Sequence, residues 1–168
     1  MARVLDFIFV LYFVSHIPAT IFIDSQAIFP QWWYPKVCRD LLTWYGREFK
    51  DVMMLAPPAW FKSFVYCEMT VQFPFFFVAA YAFYKGGCNW IRLPGMVYGS
   101  HVSTTVLAIL WHIWFNDFTN SMPAGPETTE EKLRLSAVYF PYFIVPLLLL
   151  FKCWFGMGDQ EGEKQKYH

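Results

Sequence analysis

Four apolar stretches, at 4–23, 61–84, 93–115 and 135–155, dominate this chain of 168 residues. Each runs for about 20 residues, the length an α-helix needs to cross the hydrocarbon core of a bilayer. A buried soluble core is the competing explanation. With 57% hydrophobic and 15% charged residues, however, the chain has too little polar surface to cover four such segments. A strand reading fails because the runs lack period-2 alternation and exceed strand length. The expected fold is therefore all-α, a polytopic four-transmembrane-helix bundle over 1–155 with an intramembrane ligand pocket. A hydrophilic tail at 156–168 follows it. The first stretch, after Met-Ala-Arg, has the outline of a secretory signal peptide. His16, Pro18 and Asp24 interrupt it and no small-x-small cleavage site follows, so it reads as the first span.

The connections carry the turn signals. The first, 24–60, holds Pro30, Pro35, Pro57 and Pro58 around an amphipathic stretch at 39–51. With Trp32, Trp33, Trp44 and Trp60, this piece is expected to lie as short helices at the membrane surface. The second, 85–92, is a tight polar turn, and the third, 116–134, is acidic. Thirteen basic and 13 acidic residues, with no basic run, remove the electrostatic case for nucleic acid. Cys38, Cys67, Cys88 and Cys153 form no CxxC pair, so zinc and thioredoxin-type chemistry are not expected, nor is any other metal or cofactor. An even span count puts both termini on one side, where six basic residues face seven on the other. The positive-inside rule thus returns a tie. Lys164 and Lys166, in the order K-x-K-x-x, fit an endoplasmic reticulum retrieval signal read from the cytosol, which places both termini there.

Polar residues inside the spans narrow the function. Glu68 stands about two turns into the second span, where an ionised acid costs several kcal/mol unless it is neutral, paired or facing a cavity. Gln72 follows at i+4 on the same face, and Pro74 loosens the backbone beside them. His16, Thr20 and Asp24 line up at i, i+4 and i+8 in the first span. His101, Thr105, Ala108 and His112 mark one face of the third, and Tyr139, Tyr142 and Pro146 one face of the fourth. Turned inward, these faces enclose a shared pocket, with Phe13, Phe64, Trp111 and Phe143 as apolar walls. Such a pocket suits an elongated hydrophobic amine or a sterol. Two facing carboxyls in low dielectric do not both ionise cheaply. The charge is assigned to Asp24, nearer the interface, and the proton to Glu68. The alternatives are an Asp24 that meets interfacial water and histidines that serve as structural hydrogen-bonders.

The sequence resembles the transmembrane EXPERA-domain family, relatives of the emopamil-binding sterol isomerases. The resemblance rests on Tyr12-Phe13, Ser15-His16-Ile17-Pro18, Asp24, Trp44-Tyr45 and Glu48-Phe49-Lys50-Asp51. It continues through Pro57-Pro58-Ala59-Trp60, Cys67-Glu68, Gln72-Phe73-Pro74, Trp90-Ile91-Arg92, Val138-Tyr139 and Pro141-Tyr142. It implies a homodimer of the endoplasmic reticulum membrane, with further residence in endosomal, lysosomal or nuclear membranes, and a cavity reached from the lipid. It also implies that cholesterol, oxysterols and cationic amphiphilic small molecules are the ligands. A role in cholesterol homeostasis follows, beside a lysosomal cholesterol transporter of the Niemann-Pick type. On this chain Asp24 matches the acid that pairs with a ligand amine, and Glu68 the acid that hydrogen-bonds to it. Gln72, Thr105 and Tyr142 match pocket-lining positions, with His16 and Tyr139 close by. Asp51 matches a loop acid with a structural part, and Thr20 and Pro74 stand near the site.

Three functions fit these residues. The first is a non-enzymatic receptor for sterols and cationic amines, with no catalytic residue. The second is sterol Δ8–Δ7 isomerisation with Asp24 as base and Glu68 as acid, a reaction that needs both flanking a flat apolar substrate. The third is an assembly partner whose membrane surface does the work.

Overall fold

The computed structural model describes residues 2–165, with side chains over 3–155. The side chain of Lys164 and the whole of Lys166 lie outside the described residues. Four helical segments are long and apolar enough to cross a membrane: Arg3–Ala27, Ala59–Lys85, Asn89–Phe115 and Thr129–Phe155. They are built from α1 (Ala2–Phe22), α4 (Ala59–Cys67), α5 (Phe73–Lys85), α6 (Arg92–Phe115) and α7 (Thr129–Gln165). The first connection folds into α2 (Lys36–Glu48) and α3 (Val52–Leu55), preceded by short 3₁₀ turns at Asp24–Ala27 and Gln31–Trp33. All regular structure among the described residues is helical. α7 stays helical past position 155, so the boundary expected there is one of composition, not of secondary structure.

The second span is two α-helices joined by a π turn, Glu68–Gln72, in which the Phe73 N–H bonds the Glu68 carbonyl five residues back. Pro74 lacks the N–H that an uninterrupted helix would donate, so the ladder is already broken where the wider turn is inserted. At its far end α5 stops at Gly86, whose φ of +70° continues into Gly87 at +66°. That left-handed backbone costs a glycine little and reverses the chain within a few residues.

α6 and α7 form one pair and α1 and α5 another. Lipid offers helices no hydrophobic drive to associate, so close packing has to hold them. Gly95 and Gly99, four residues apart on α6, provide it. A Cβ at Gly99 would stand 2.7 Å from the Pro146 carbonyl oxygen and 3.0 Å from Leu150 Cβ, and one at Gly95 2.9 Å from Cys153 Sγ. In the other pair Phe9 and Phe13 are fully buried with Phe76, and the Phe9 and Phe83 ring centroids lie 5.1 Å apart. Lys152 on α7 pairs with Asp6 on α1 and lies over the Phe9 ring at 5.3 Å. This half, nearer the chain ends, is a solid aromatic core.

α2 buries Leu42 and Gly46 and leaves Val37, Leu41 and Trp44 exposed, with Trp32 and Trp33 exposed just before it. An exposed apolar stripe carrying indoles at the end of the spans is what the expected interfacial helix would present.

Candidate functional site: an acidic cavity inside the bundle

The half of the bundle remote from the chain ends is hollow. A cavity of about 300 Å³ lies between α1, α4 with its π turn, α6 and α7, and Tyr45 and Met54 of the first connection close it. Seven residues expected at a site line it: His16, Asp24, Glu68, Gln72, Thr105, Tyr139 and Tyr142.

The polar groups are unequally occupied. Thr20, fully buried on α1, donates its hydroxyl hydrogen to Glu68 Oε1 across the helix pair. Asp24 stands in the 3₁₀ turn that ends the first span, and no hydrogen bond to its carboxylate occurs among the described residues. The lining carries these two carboxyl groups and neither lysine nor arginine. A negative charge inside the membrane region without a protein counter-charge is costly unless a cation or water meets it. The place where such a cation would sit is the cavity itself.

Asp51 is fully buried. Its Oδ1 accepts the Met54 backbone N–H at 3.2 Å, capping α3. Its Oδ2 accepts the hydroxyls of Tyr45 at 2.9 Å and Tyr139 at 2.7 Å. Burial pushes the Asp51 carboxyl above its ordinary range, and the hydrogen bonds from Tyr139, Tyr45 and Met54 pull the other way. Burial, and then the acid beside it, push the Tyr45 phenol up as well. Tyr139 thus presents its ring to the cavity while its hydroxyl is committed to Asp51.

His16 Nδ1 lies 3.0 Å from the Tyr12 carbonyl oxygen. A carbonyl can only accept, so Nδ1 carries the hydrogen. The Tyr12 and Tyr98 hydroxyls meet at 3.2 Å and close the inner end of the cavity. Thr105 donates to the Val102 carbonyl at 3.0 Å and lines the cavity.

Several expectations are corrected here. Trp111 is 63% exposed on the outside of α6, where it packs on Phe115, and it is no pocket wall. Phe13 and Phe143 belong to the aromatic core; of the four expected walls Phe64 lines the cavity. Of the expected polar face of α6, Thr105 reaches the cavity and the rest does not. His101 and Ala108 are exposed, and His112 packs between Trp60 and Phe118. The cavity face is instead Tyr98, Val102, Thr105, Val106 and Ile109. Pro146 is fully buried against Gly99, on the α6 side of α7 rather than in the cavity. Pro74 is exposed and acts through the π turn beside it, while Thr20 reaches the site through Glu68. Tyr12, Tyr45 and Tyr98 join the site without having been singled out. The signal for Tyr98 was its seven-residue spacing from Thr105, which returns to the same helix face.

A helical bundle with an acidic cavity between its spans defines the class of multi-pass membrane proteins with a pocket between helices. The sequence comparisons agree with that class. Residues 37–153 match the model of EXPERA (EXPanded EBP superfamily), and the chain belongs to this family. It is similar to Sigma intracellular receptor 2 of Xenopus tropicalis, with 52% identity over 165 residues that cover 98% of this chain and 96% of the relative. Sigma intracellular receptor 2 of Homo sapiens is 48% identical over 151 residues, 88% and 86% of the two chains. The Efficient mitochondria targeting-associated protein 19 of Saccharomyces cerevisiae is 28% identical over 152 residues, 83% and 91% of the two.

Proposed function

We propose that this chain is an intramembrane receptor for sterols and cationic amphiphilic amines that acts in cholesterol homeostasis and trafficking. The observation that carries the reading is the Asp24 carboxylate, which opens on a cavity with neither lysine nor arginine in its lining. A ligand ammonium supplies the missing charge, and Glu68, holding a proton and accepting from Thr20, supports that pair without adding a second negative charge. Relatives that bear the name of a receptor support binding rather than turnover. On this reading the protein resides as a homodimer in the endoplasmic reticulum membrane with cytosolic termini. It exchanges ligand there and in endosomal, lysosomal or nuclear membranes, and a Niemann-Pick-type cholesterol transporter is its partner.

Binding of radiolabelled N-benzyl-4-phenylpiperidine to the purified protein tests the reading. Asp24→Asn removes the counter-charge and is expected to weaken binding by about a hundredfold, the scale of a charge-assisted pair. Glu68→Gln keeps a hydrogen-bond donor and is expected to lose roughly tenfold or less. Equal losses in both variants would show that the charge is not localised on Asp24.

The same pair supports a second reading, sterol Δ8–Δ7 isomerisation. Glu68 would protonate the ring alkene and Asp24 remove the neighbouring proton, and a bound amine would mimic the carbocation between the steps. Conversion of a Δ8 sterol to its Δ7 isomer by the purified protein, lost in Glu68→Gln, is the measurement that would establish it.

A further inference from the structure

Besides the two acids, the cavity carries a second set of polar groups, inward of Asp24, that the amine does not use. His16 precedes Asp24 by eight residues, about 12 Å along a helix axis. Its Nδ1 hydrogen is given to the Tyr12 carbonyl. In the neutral ring this leaves Nε2 as an acceptor. Nε2 meets no hydrogen-bond donor among the described residues, and it is not sealed from space, so it opens on the cavity that His16 lines. The ring itself cannot turn away. Tyr142 meets it edge-on at 4.7 Å, Phe76 packs at 5.3 Å, and Tyr12 lies at 4.2 Å, all between ring centroids.

A donor stands next to this acceptor. In the Tyr12–Tyr98 pair one hydroxyl donates to the other. The accepting hydroxyl keeps its own hydrogen, with the cavity beside it. The Tyr142 hydroxyl has no protein partner among the described residues and lines the same space. An acceptor fixed by its tautomer, next to phenolic hydrogens, is what recognises a group that both donates and accepts. An alcohol does both. An ammonium offers no acceptor, and a ketone no donor.

We infer that this inner end is a hydroxyl-recognition subsite. His16 Nε2 accepts the hydrogen of a ligand alcohol and a tyrosine hydroxyl donates to its oxygen, so His16 selects hydroxylated apolar ligands over their deoxygenated counterparts. The inference rests on the reading of the cavity as a sterol and amine site, and it specifies which way round a sterol lies. The hydroxyl points inward, toward the aromatic core, and the apolar tail points toward the closing segment.

The test compares three probes on the purified full chain: cholesterol, its 3-deoxy analogue cholest-5-ene, and the hydroxyl-free amine N-benzyl-4-phenylpiperidine. Wild-type protein is expected to prefer cholesterol over cholest-5-ene by about tenfold, the scale of a buried hydrogen-bonded hydroxyl. His16→Phe keeps a flat ring without an acceptor. It should erase that preference, and an unfolding temperature close to that of wild type shows that the variant is folded. His16→Gln, whose amide oxygen can accept, should restore most of the preference. An undiminished preference in His16→Phe overturns the inference and leaves the amine site standing. So does a preference that survives His16→Phe but collapses in Asp24→Asn, since the hydroxyl would then lie at the acid end. Failure of wild-type protein to bind cholesterol or the amine overturns the inference together with the reading on which it rests.

Discussion

Asp51 has no access to solvent, yet it lies outside the spans and carries three hydrogen bonds that join α3, α2 and α7. Its raised native affinity for a proton gives a pH dependence of definite sign. Between the ordinary value of 3.8 and the higher native value, the folded chain holds a proton that the unfolded chain has released. Stability therefore falls as pH rises through that window, by at most about 1.4 kcal/mol per pH unit. In Asp51→Asn that contribution is absent, so the stability of the variant relative to wild type should rise with pH. Thermal unfolding of both proteins in detergent from pH 4 to pH 7 measures this, and parallel curves would contradict it. At this scale the acids were readable from sequence, because a carboxylate in an apolar run is an anomaly that lipid makes expensive. The tyrosines were not. With 10 Tyr among 37 aromatic side chains, counting also 19 Phe and 8 Trp, neither Tyr45 nor Tyr98 stands out until packing shows which hydroxyls point inward. On α6 the polarity of His101 and His112 is misleading, and of the expected face Thr105 alone lines the cavity. Both sit where a histidine is tolerated, one exposed and one between aromatic rings near the helix end.

At the scale of elements, the glycines of α6 place the helix that carries Thr105 and Tyr98. The Gly95-x-x-x-Gly99 spacing is plain in the sequence. Spacing alone, however, names no partner helix, and the partner proves to lie in the same chain, at Pro146 and Leu150 of α7. The backbone atoms met there cannot swing aside as a flexible side chain could. Gly99→Ala should therefore force α6 and α7 apart and cost about 1–3 kcal/mol, as overpacking does. The expected readout is a lowered unfolding temperature with cholesterol affinity reduced in parallel, because Thr105 and Tyr98 move with the helix. An Ala at Gly87, where no atom lies within 4 Å, meets no such obstacle and differs only in its backbone conformation. An unfolding temperature for Gly99→Ala equal to wild type would mean that the pair is not set by this contact. The π turn was less legible than the glycines. Pro74 announces a break in the ladder but not how the break is absorbed, whether by a kink or by a widened turn.

For the molecule as a whole, the two halves of the bundle answer different demands. The half near the chain ends is filled by interlocking rings, whereas the other keeps about 300 Å³ unfilled around two carboxyl groups. The sequence displayed four spans and the polar residues inside them, without telling how much space those residues would leave between the helices. The difference arises from side-chain volumes that meet only after folding, Phe9 against Phe83 in one half and Ala19 facing Glu68 and Thr105 across empty space in the other. An empty cavity in a well-packed protein forgoes dispersion contacts, at a cost of about 24 cal/mol per Å³ in water-soluble cores. On the reading of this space as a ligand site, filling it with side chain should improve stability while removing function. Ala19→Leu puts three further carbons into the lumen from α1 without touching an acid or a hydrogen bond. It should leave the unfolding temperature unchanged or raised, and weaken binding of cholesterol and N-benzyl-4-phenylpiperidine together by at least about tenfold. Loss of both probes with stability retained separates a ligand cavity from a packing defect, because a defect once filled would gain stability and have no binding to lose.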